Sequence, residues 1–196
     1  MRARLIPLPR RGLESADSGD EALVGACAQG DAAALATLFD RHQLAVFRFC
    51  SRLSGGDGEV DDLVQRTFLE AWRCASHFRR QSTVRTWLFG IAANLARHKA
   101  RAEMRRGAFL ASAREHPVPE VLRPDQHAER REQWARLARA IERLPHLLRV
   151  AFAMCDLEGV SGVEAARALG VPEGTIWRRL HDARKQLREA LAGDAP

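Results

Sequence analysis

Apolar residues recur along this chain with the three-and-four spacing of α-helices from Asp20 almost to the C-terminus. Leu23, Val24, Cys27 and Ala28 form a first stripe. Gly30 and Asp31 read as a helix stop followed by an N-cap, and Leu35, Leu38, Phe39, His42, Val46 and Phe49 make the second stripe. A glycine-rich turn at 54–58 leads to a third helix expected over 60–76, and a polar loop at 77–83 to a fourth over 84–106. The core face expected of that fourth helix is Val84, Trp87, Leu88, Ile91 and Leu95. Alternating β-branched runs are absent and the chain has no tyrosine, so no strand competes with these assignments.

Pro117, Pro119 and Pro124 interrupt the pattern and forbid a continuous helix, which makes 107–127 a flexible linker. Beyond it the helical period returns. Trp134, Leu137, Ala138 and Ile141 form a stripe that ends before Pro145, and Leu147, Leu148, Ala151, Phe152 and Cys155 form another. Val163, Ala166 and Leu169 then mark a short helix, residues 170–174 a tight turn, and Ile176, Leu180, Ala183, Leu187 and Leu191 a long final helix. Short helix, glycine-containing turn and longer basic helix is the order of a DNA-binding helix-turn-helix. The expected fold is therefore all-α: a disordered leader at 1–19, a helical domain at 20–106, the linker, and a small helix-turn-helix domain at 128–192.

The third helix, VDDLVQRTFLEAWR from 60 to 73, has two unlike sides. Val60, Val64, Phe68, Ala71 and Trp72 make its buried stripe, while Asp62, Gln65, Arg66, Leu69 and Arg73 fall around the opposite face. A large leucine in that polar setting gains nothing for the fold. It marks a surface for a protein partner, unless it is one of the scattered surface apolar residues that need no explanation.

Charge adds a polyanion to the possible partners. Thirty-one Lys and Arg against 25 Asp and Glu leave a net charge of +6 over 196 residues. On the final helix, Trp177, Arg178, His181, Asp182 and Lys185 face away from the apolar stripe, with Arg184 and Arg188 at its edge, and the backbone N–H groups of Gly174 and Thr175 sit at a helix N-terminus suited to phosphate. A solvated charged face would look similar, but the preceding short helix and turn favour duplex DNA. In the first half, Asn94, Arg97 and Arg101 line up along the fourth helix beyond the loop Phe78, Arg79, Arg80, Gln81 and Ser82. An aromatic ring, guanidiniums and small polar groups together suit unpaired bases, although Phe78 is equally suited to the core.

Other chemistry is excluded. The four cysteines are widely spaced, without a CxxC pair or a neighbouring histidine cluster, and read as small core residues of a reducing cytoplasm, with no metal site. Asp61 and Asp62 are adjacent, so on a helix they point about 100° apart and cannot act as an acid/base pair. No phosphate-binding glycine loop or serine-nucleophile motif is present, so neither an enzyme nor a cofactor is expected. The N-terminal MRARLIPLPRRG is too short and proline-broken for a secretory signal, and no apolar run reaches the length of a membrane span.

VDDLVQRTFLEAWR, then FRRQSTVRTWLFGIAANLAR, then the linker, then LEGVSGVEAARALGVPEGTIWRRLHDAR resembles, in that order, the extracytoplasmic-function sigma factors of bacterial RNA polymerase. The resemblance covers residues 20–192. It implies a promoter-specificity subunit whose first domain binds core RNA polymerase and the melted minus-ten element, and whose second binds duplex minus-thirty-five DNA. Asp62, Gln65 and Leu69 match the polymerase-docking surface, with Arg66 standing where the family usually has an acidic residue. Asn94 and the loop from Phe78 to Ser82 match the region that captures a flipped base of the melted strand. Trp177, Arg178, His181 and Asp182 match positions that face the minus-thirty-five major groove. Trp177 and Asp182 replace residues that are often basic there; Asp182 suits a cytosine amino group, or pairs with Arg178 or Lys185. The resemblance also implies an anti-sigma partner, commonly membrane-anchored. Two further readings stay open on the residues alone: a free-standing helix-turn-helix regulator, and an adaptor that docks through the Leu69 face.

Overall fold

The computed structural model of the protein describes residues 13–53, 57–105 and 128–193, with side-chain surroundings at 19–53, 59–99 and 134–192. The expected linker at 107–127 lies outside the described residues, as does the leader as far as residue 12. Every regular element among the described residues is helical: α1 (Leu13–Ala28), α2 (Ala32–Leu53), α3 (Asp57–Cys74) with a short 3₁₀ turn after it (Ala75–His77), α4 (Val84–Arg105), α5 (Ala128–Arg143), α6 (His146–Phe152), α7 (Gly162–Leu169) and α8 (Glu173–Gly193). α6 continues into a π-helical turn at Ala153–Leu157. The leader expected over 1–19 is too long: α1 begins at Leu13, so the leader's last seven residues, 13–19, already belong to the helix.

The breaks between elements follow local chemistry. Gly30 takes φ +89°, and Asp31 Oδ1 accepts from the N–H groups of Ala33 (2.9 Å) and Ala34 (3.3 Å), which caps α2 as its sequence predicts. α7 opens with a reciprocal capping box that the stripes did not reveal. Ser161 Oγ accepts from the Glu164 N–H at 3.2 Å, and Glu164 Oε2 accepts from the Ser161 N–H at 3.3 Å. Gly170 ends α7 at φ +64°, a left-handed position that a β-carbon disfavours.

Packing is less partitioned than two separate domains require. The main core joins Val46, Phe49, Phe68, Val84, Leu88 and Phe89 of the first half to Val150, Met154, Ala165, Ile176 and Leu180 of the second. Phe49 and Phe89, both fully buried, stack at 4.5 Å near its centre. Burial of each ring is worth about 1.5–3 kcal/mol, and the stacking adds about 1 kcal/mol. A smaller core closes the other side of the second half, from Ala140, Ile141 and Leu144 of α5 and its end to Ala183 and Leu187 of α8.

Several expected stripes are shifted. α4 buries Val84, Leu88, Phe89, Gly90, Ala92, Ala93 and Ala96, whereas Trp87, Ile91 and Leu95 are only partly covered. The helix is contacted from two sides, by α2 and α3 and again by α7, so its small residues are enclosed along with its large ones. Trp134, Leu147 and Leu191, expected in the core, are exposed. His42 is buried as a polar group among apolar neighbours, satisfied by Asp20 of α1: Nε2 lies 2.8 Å from Asp20 Oδ2, whose other oxygen accepts from Arg41 Nη1 at 2.7 Å. That pair ties α1 to α2.

Candidate partner and nucleic-acid interfaces

The third helix presents the face its pattern predicts. Its core side buries Val60, Leu63, Val64, Thr67, Phe68 and Ala71, with the Thr67 hydroxyl donating to the Leu63 carbonyl at 2.7 Å. Asp62, Gln65, Arg66 and Leu69 all lie on the exposed side, with Leu69 54% exposed. Arg66 Nη1 lies 3.5 Å from Asp62 Oδ2, one turn earlier on the same helix. The basic residue therefore draws on the carboxylate beside it, and the surface offers a leucine flanked by an amide and a locally neutralised ion pair.

The residues expected to meet unpaired bases are only partly presented. Arg79 and Gln81 are exposed. Phe78 turns inward and packs on Trp87 at 5.0 Å, so of its two expected places it takes the core. Arg80 adopts φ +54° and lies 3.3 Å from Glu21 of α1, an ion pair that holds the loop in this shape. Ser82, Asn94 and Arg97 are half-buried, Arg101 lies on α4, and its side chain falls outside the described residues. Arg97 shares its surroundings with His146 of α6 and Arg179 of α8. Burial first, then the Arg149 and Arg97 charges, depress the His146 pKa against an opposing interaction with the Ala93 backbone. Burial, Arg178 and Arg97 likewise lower that of Arg179.

On α8, Gly174, Trp177, Arg178, His181 and Lys185 form an exposed row, with Ile176, Leu180, Ala183 and Leu187 buried behind it. Three details differ from expectation. The Thr175 N–H donates to the Pro172 carbonyl at 2.9 Å, and Glu173 supplies a negative charge to the first turn, so Thr175 does not offer its amide to a phosphate. Trp177, expected to face a groove, is held within the protein: its Nε1 donates to Glu173 Oε1 at 2.9 Å, and its ring lies where a Cβ at Gly162 would come within 2.8 Å of it. The indole thereby braces the two helices of the motif against each other, and Gly162 is needed for the fit. Asp182 is half-buried and forms no ion pair with Arg178 or Lys185 among the described residues. Arg184 is engaged by Asp156 through two hydrogen bonds of 2.8 and 2.5 Å, which turns it toward the π-helical turn.

Sequence reasoning missed the residues that join the two halves. Glu158, whose side chain is only 7% exposed, pairs with both Arg52 at the end of α2 and Arg85 at the start of α4. Arg149 donates to the Leu53 carbonyl at 3.4 Å, and Arg167 to the Gln81 carbonyl at 3.3 Å. A lone glutamate before a glycine carries no periodic signal that could have singled it out. The thiols add no reactive group at neutral pH: burial pushes Cys50 up to about 12 and Cys155 up to about 11. Among the described residues, no helix is long and apolar enough to cross a membrane, and no three metal-binding side chains converge.

Comparison with known proteins agrees with this layout. The family described as sigma-70 region 2 matches residues 38–106, and that described as sigma-70 region 4 matches residues 134–187. The chain is 34% identical over 172 residues to the ECF RNA polymerase sigma factor SigE of Mycolicibacterium smegmatis, covering 84% of this chain and 65% of that protein's length. It is 32% identical over 178 residues to the RNA polymerase sigma factor NccH of Alcaligenes xylosoxydans xylosoxydans, covering 89% of this chain and 95% of the relative. The solved structure of CnrH, in complex with the cytosolic domain of CnrY, superposes with a TM-score of 0.65 at 27% identity, over 90% of this chain and 99% of that one. On this evidence the chain belongs to the extracytoplasmic-function RNA polymerase sigma factors of the sigma-70 family.

Proposed function

We infer that this protein directs core RNA polymerase to specific promoters and assists their melting, contributing recognition rather than catalysis and using no cofactor or metal. The observation that carries the reading is a division of labour on one chain. The outer face of α3 exposes Leu69 beside Asp62, Gln65 and Arg66, a protein-docking surface, while α8 exposes the cationic row of Arg178, His181 and Lys185. Polymerase would dock on the first. Duplex minus-thirty-five DNA would meet the second, with Gly174, Trp177 and Asp182 shaping the sequence read. Arg79, Arg80, Gln81, Ser82, Asn94, Arg97 and Arg101 would meet the melted minus-ten strand, and Phe78 supports their loop from the core side. Work of this kind belongs in the cytoplasm, where polymerase and promoter are. An anti-sigma protein is the expected regulator, supported by the likeness to CnrH, which was solved with CnrY bound.

Run-off transcription with purified core polymerase on a genomic DNA library tests the reading and returns the promoter. Discrete transcripts that require this protein are expected. A chain that binds a palindromic duplex tightly by itself and is indifferent to core polymerase would be a free-standing regulator instead.

A further inference from the structure

Trp177 is bound on one side and open on the other. Its Nε1–H, the only hydrogen-bonding group an indole has, is taken by Glu173 Oε1 at 2.9 Å. The six-membered part of the ring lies against the start of α7, where a Cβ on Gly162 would stand 2.8 Å from Cζ2, 3.1 Å from Cε2 and 3.2 Å from Cη2. Despite both contacts, 51% of the residue remains exposed. What it turns outward is therefore a fixed apolar surface with no donor left to offer.

The surroundings of that surface are polar. Arg178 and His181 are exposed beside it, and Glu173 is exposed one turn earlier on α8. Gly174, also one turn earlier, adds open room: a Cβ there would meet nothing within 4 Å, so packing does not call for a glycine, although glycine weakens a helix. The missing side chain leaves the ring unobstructed toward the N-terminal end of α8, the end of a recognition helix that meets base edges. For the fold alone, a half-exposed indole in a charged row is a poor use of apolar area.

Of the features that base pairs present in the major groove, one is apolar, the C5-methyl group of thymine; the others are hydrogen-bond donors and acceptors. An indole whose donor is already satisfied has nothing to give the acceptors and no lone pair for the donors. We propose that Trp177 is a specificity-determining residue that selects a thymine in the minus-thirty-five element through its methyl group, with Glu173 as the positioning residue that fixes the ring and occupies its donor. This rests on the proposed promoter-binding function. A ring ordered before DNA arrives loses no rotamer freedom on binding, which is what the clamp contributes. DNA phosphates repel the Glu173 carboxylate, so Glu173 lowers affinity for every sequence alike while sharpening the choice at one base.

Selection with the holoenzyme, core polymerase plus the full chain, from random-sequence duplex pools about four helical turns long tests this. One pool is made with thymidine and a second with deoxyuridine, which pairs in the same way but lacks the methyl group. With the wild type, thymine should be enriched at one position of the upstream element in the first pool, and uracil should lose that enrichment in the second. In the selected duplex, a single thymine-to-uracil exchange at that position should weaken binding about fourfold, the worth of burying one methyl-sized group. Trp177→Ala should bind the two duplexes equally. Glu173→Ala should bind both more tightly through lost repulsion yet bring their ratio below about twofold, and Glu173→Gln, whose amide oxygen still accepts from the indole, should restore it. Should Trp177→Ala lose helical circular dichroism, the two Glu173 variants carry the test, since they keep the ring in the chain. An enriched sequence without a methyl-dependent thymine, or a ratio unchanged in Trp177→Ala or Glu173→Ala, would show that the indole only braces α7 against α8 and would overturn the proposal. Enrichment of no sequence at all by the wild type would overturn the promoter-binding function itself, and this inference with it.

Discussion

α3 and α4 are neighbours of similar length, each with an apolar stripe and a polar face behind it, yet only one keeps that face in the open. On α3 the outer residues Asp62, Gln65, Arg66 and Leu69 remain exposed among the described residues. On α4 the corresponding face carries Gly90, Ala93, Asn94 and Arg97, and the second half of the chain packs onto it through Ala168, His146 and Arg179. Side-chain size accounts for the difference. A long leucine and charged residues hold a neighbouring helix away, whereas glycine and alanine let a backbone approach to contact distance. One face is therefore open, and the other is covered by the second half of the chain.

The largest effect that separates the two faces should come from Leu69→Ala. Its removal should cost about 2 kcal/mol of polymerase binding, roughly 30-fold in affinity, if Leu69 is the apolar centre of the dock. Because the side chain is exposed, the melting temperature should not move; a fall in both together would mean that Leu69 serves the fold and would erase the distinction from α4.

A smaller effect, confined to the covered face, should come with pH. Burial and the neighbouring Arg149 and Arg97 hold His146 below its ordinary pKa of 6.5. The unfolded chain therefore takes up this proton at a pH where the packed chain does not. This contribution to stability is present above 6.5 and is lost as the pH falls below it. Thermal melts between about pH 8 and pH 5.5 should show falling stability on the acid side, and His146→Gln should flatten that slope. Equal slopes in both proteins would place the acid sensitivity elsewhere.

The smallest expected change is Arg66→Glu on the open face. Its pair with Asp62 joins two side chains that are 60% and 59% exposed, so its loss should cost the fold less than about 0.5 kcal/mol. Asp62 is released and the acidic character common in the family is restored, so polymerase affinity should rise by less than about tenfold. Weaker binding would show that Arg66 itself contacts the polymerase.

Much of this architecture is written in the order of the residues. The stripes of α2, α3 and α8, the Asp31 cap, the Gly170 turn and the unusual setting of Leu69 depend on neighbours within a turn or two, and local spacing records them. The exposed row Trp177, Arg178, His181 and Lys185 was legible for the same reason: it is the complement of a strong apolar stripe. Trp177's bracing of the motif was not, because Gly162 lies fifteen positions away and a glycine leaves no hydrophobic trace.

What the sequence determined by itself is an all-helical chain with a sigma-factor order of motifs and an apolar residue, Leu69, left exposed on a polar helix face. Only the tertiary structure decided that α4 is enclosed from two sides, that Asp20 satisfies the buried His42, that Phe78 turns to the core, and that Glu158 locks the second half onto Arg52 and Arg85. The physical reason is the same in each case. A periodic stripe reports that a helix has a buried side, but close approach through glycine and alanine, and single charges paired across a hundred residues, are properties of which helices meet.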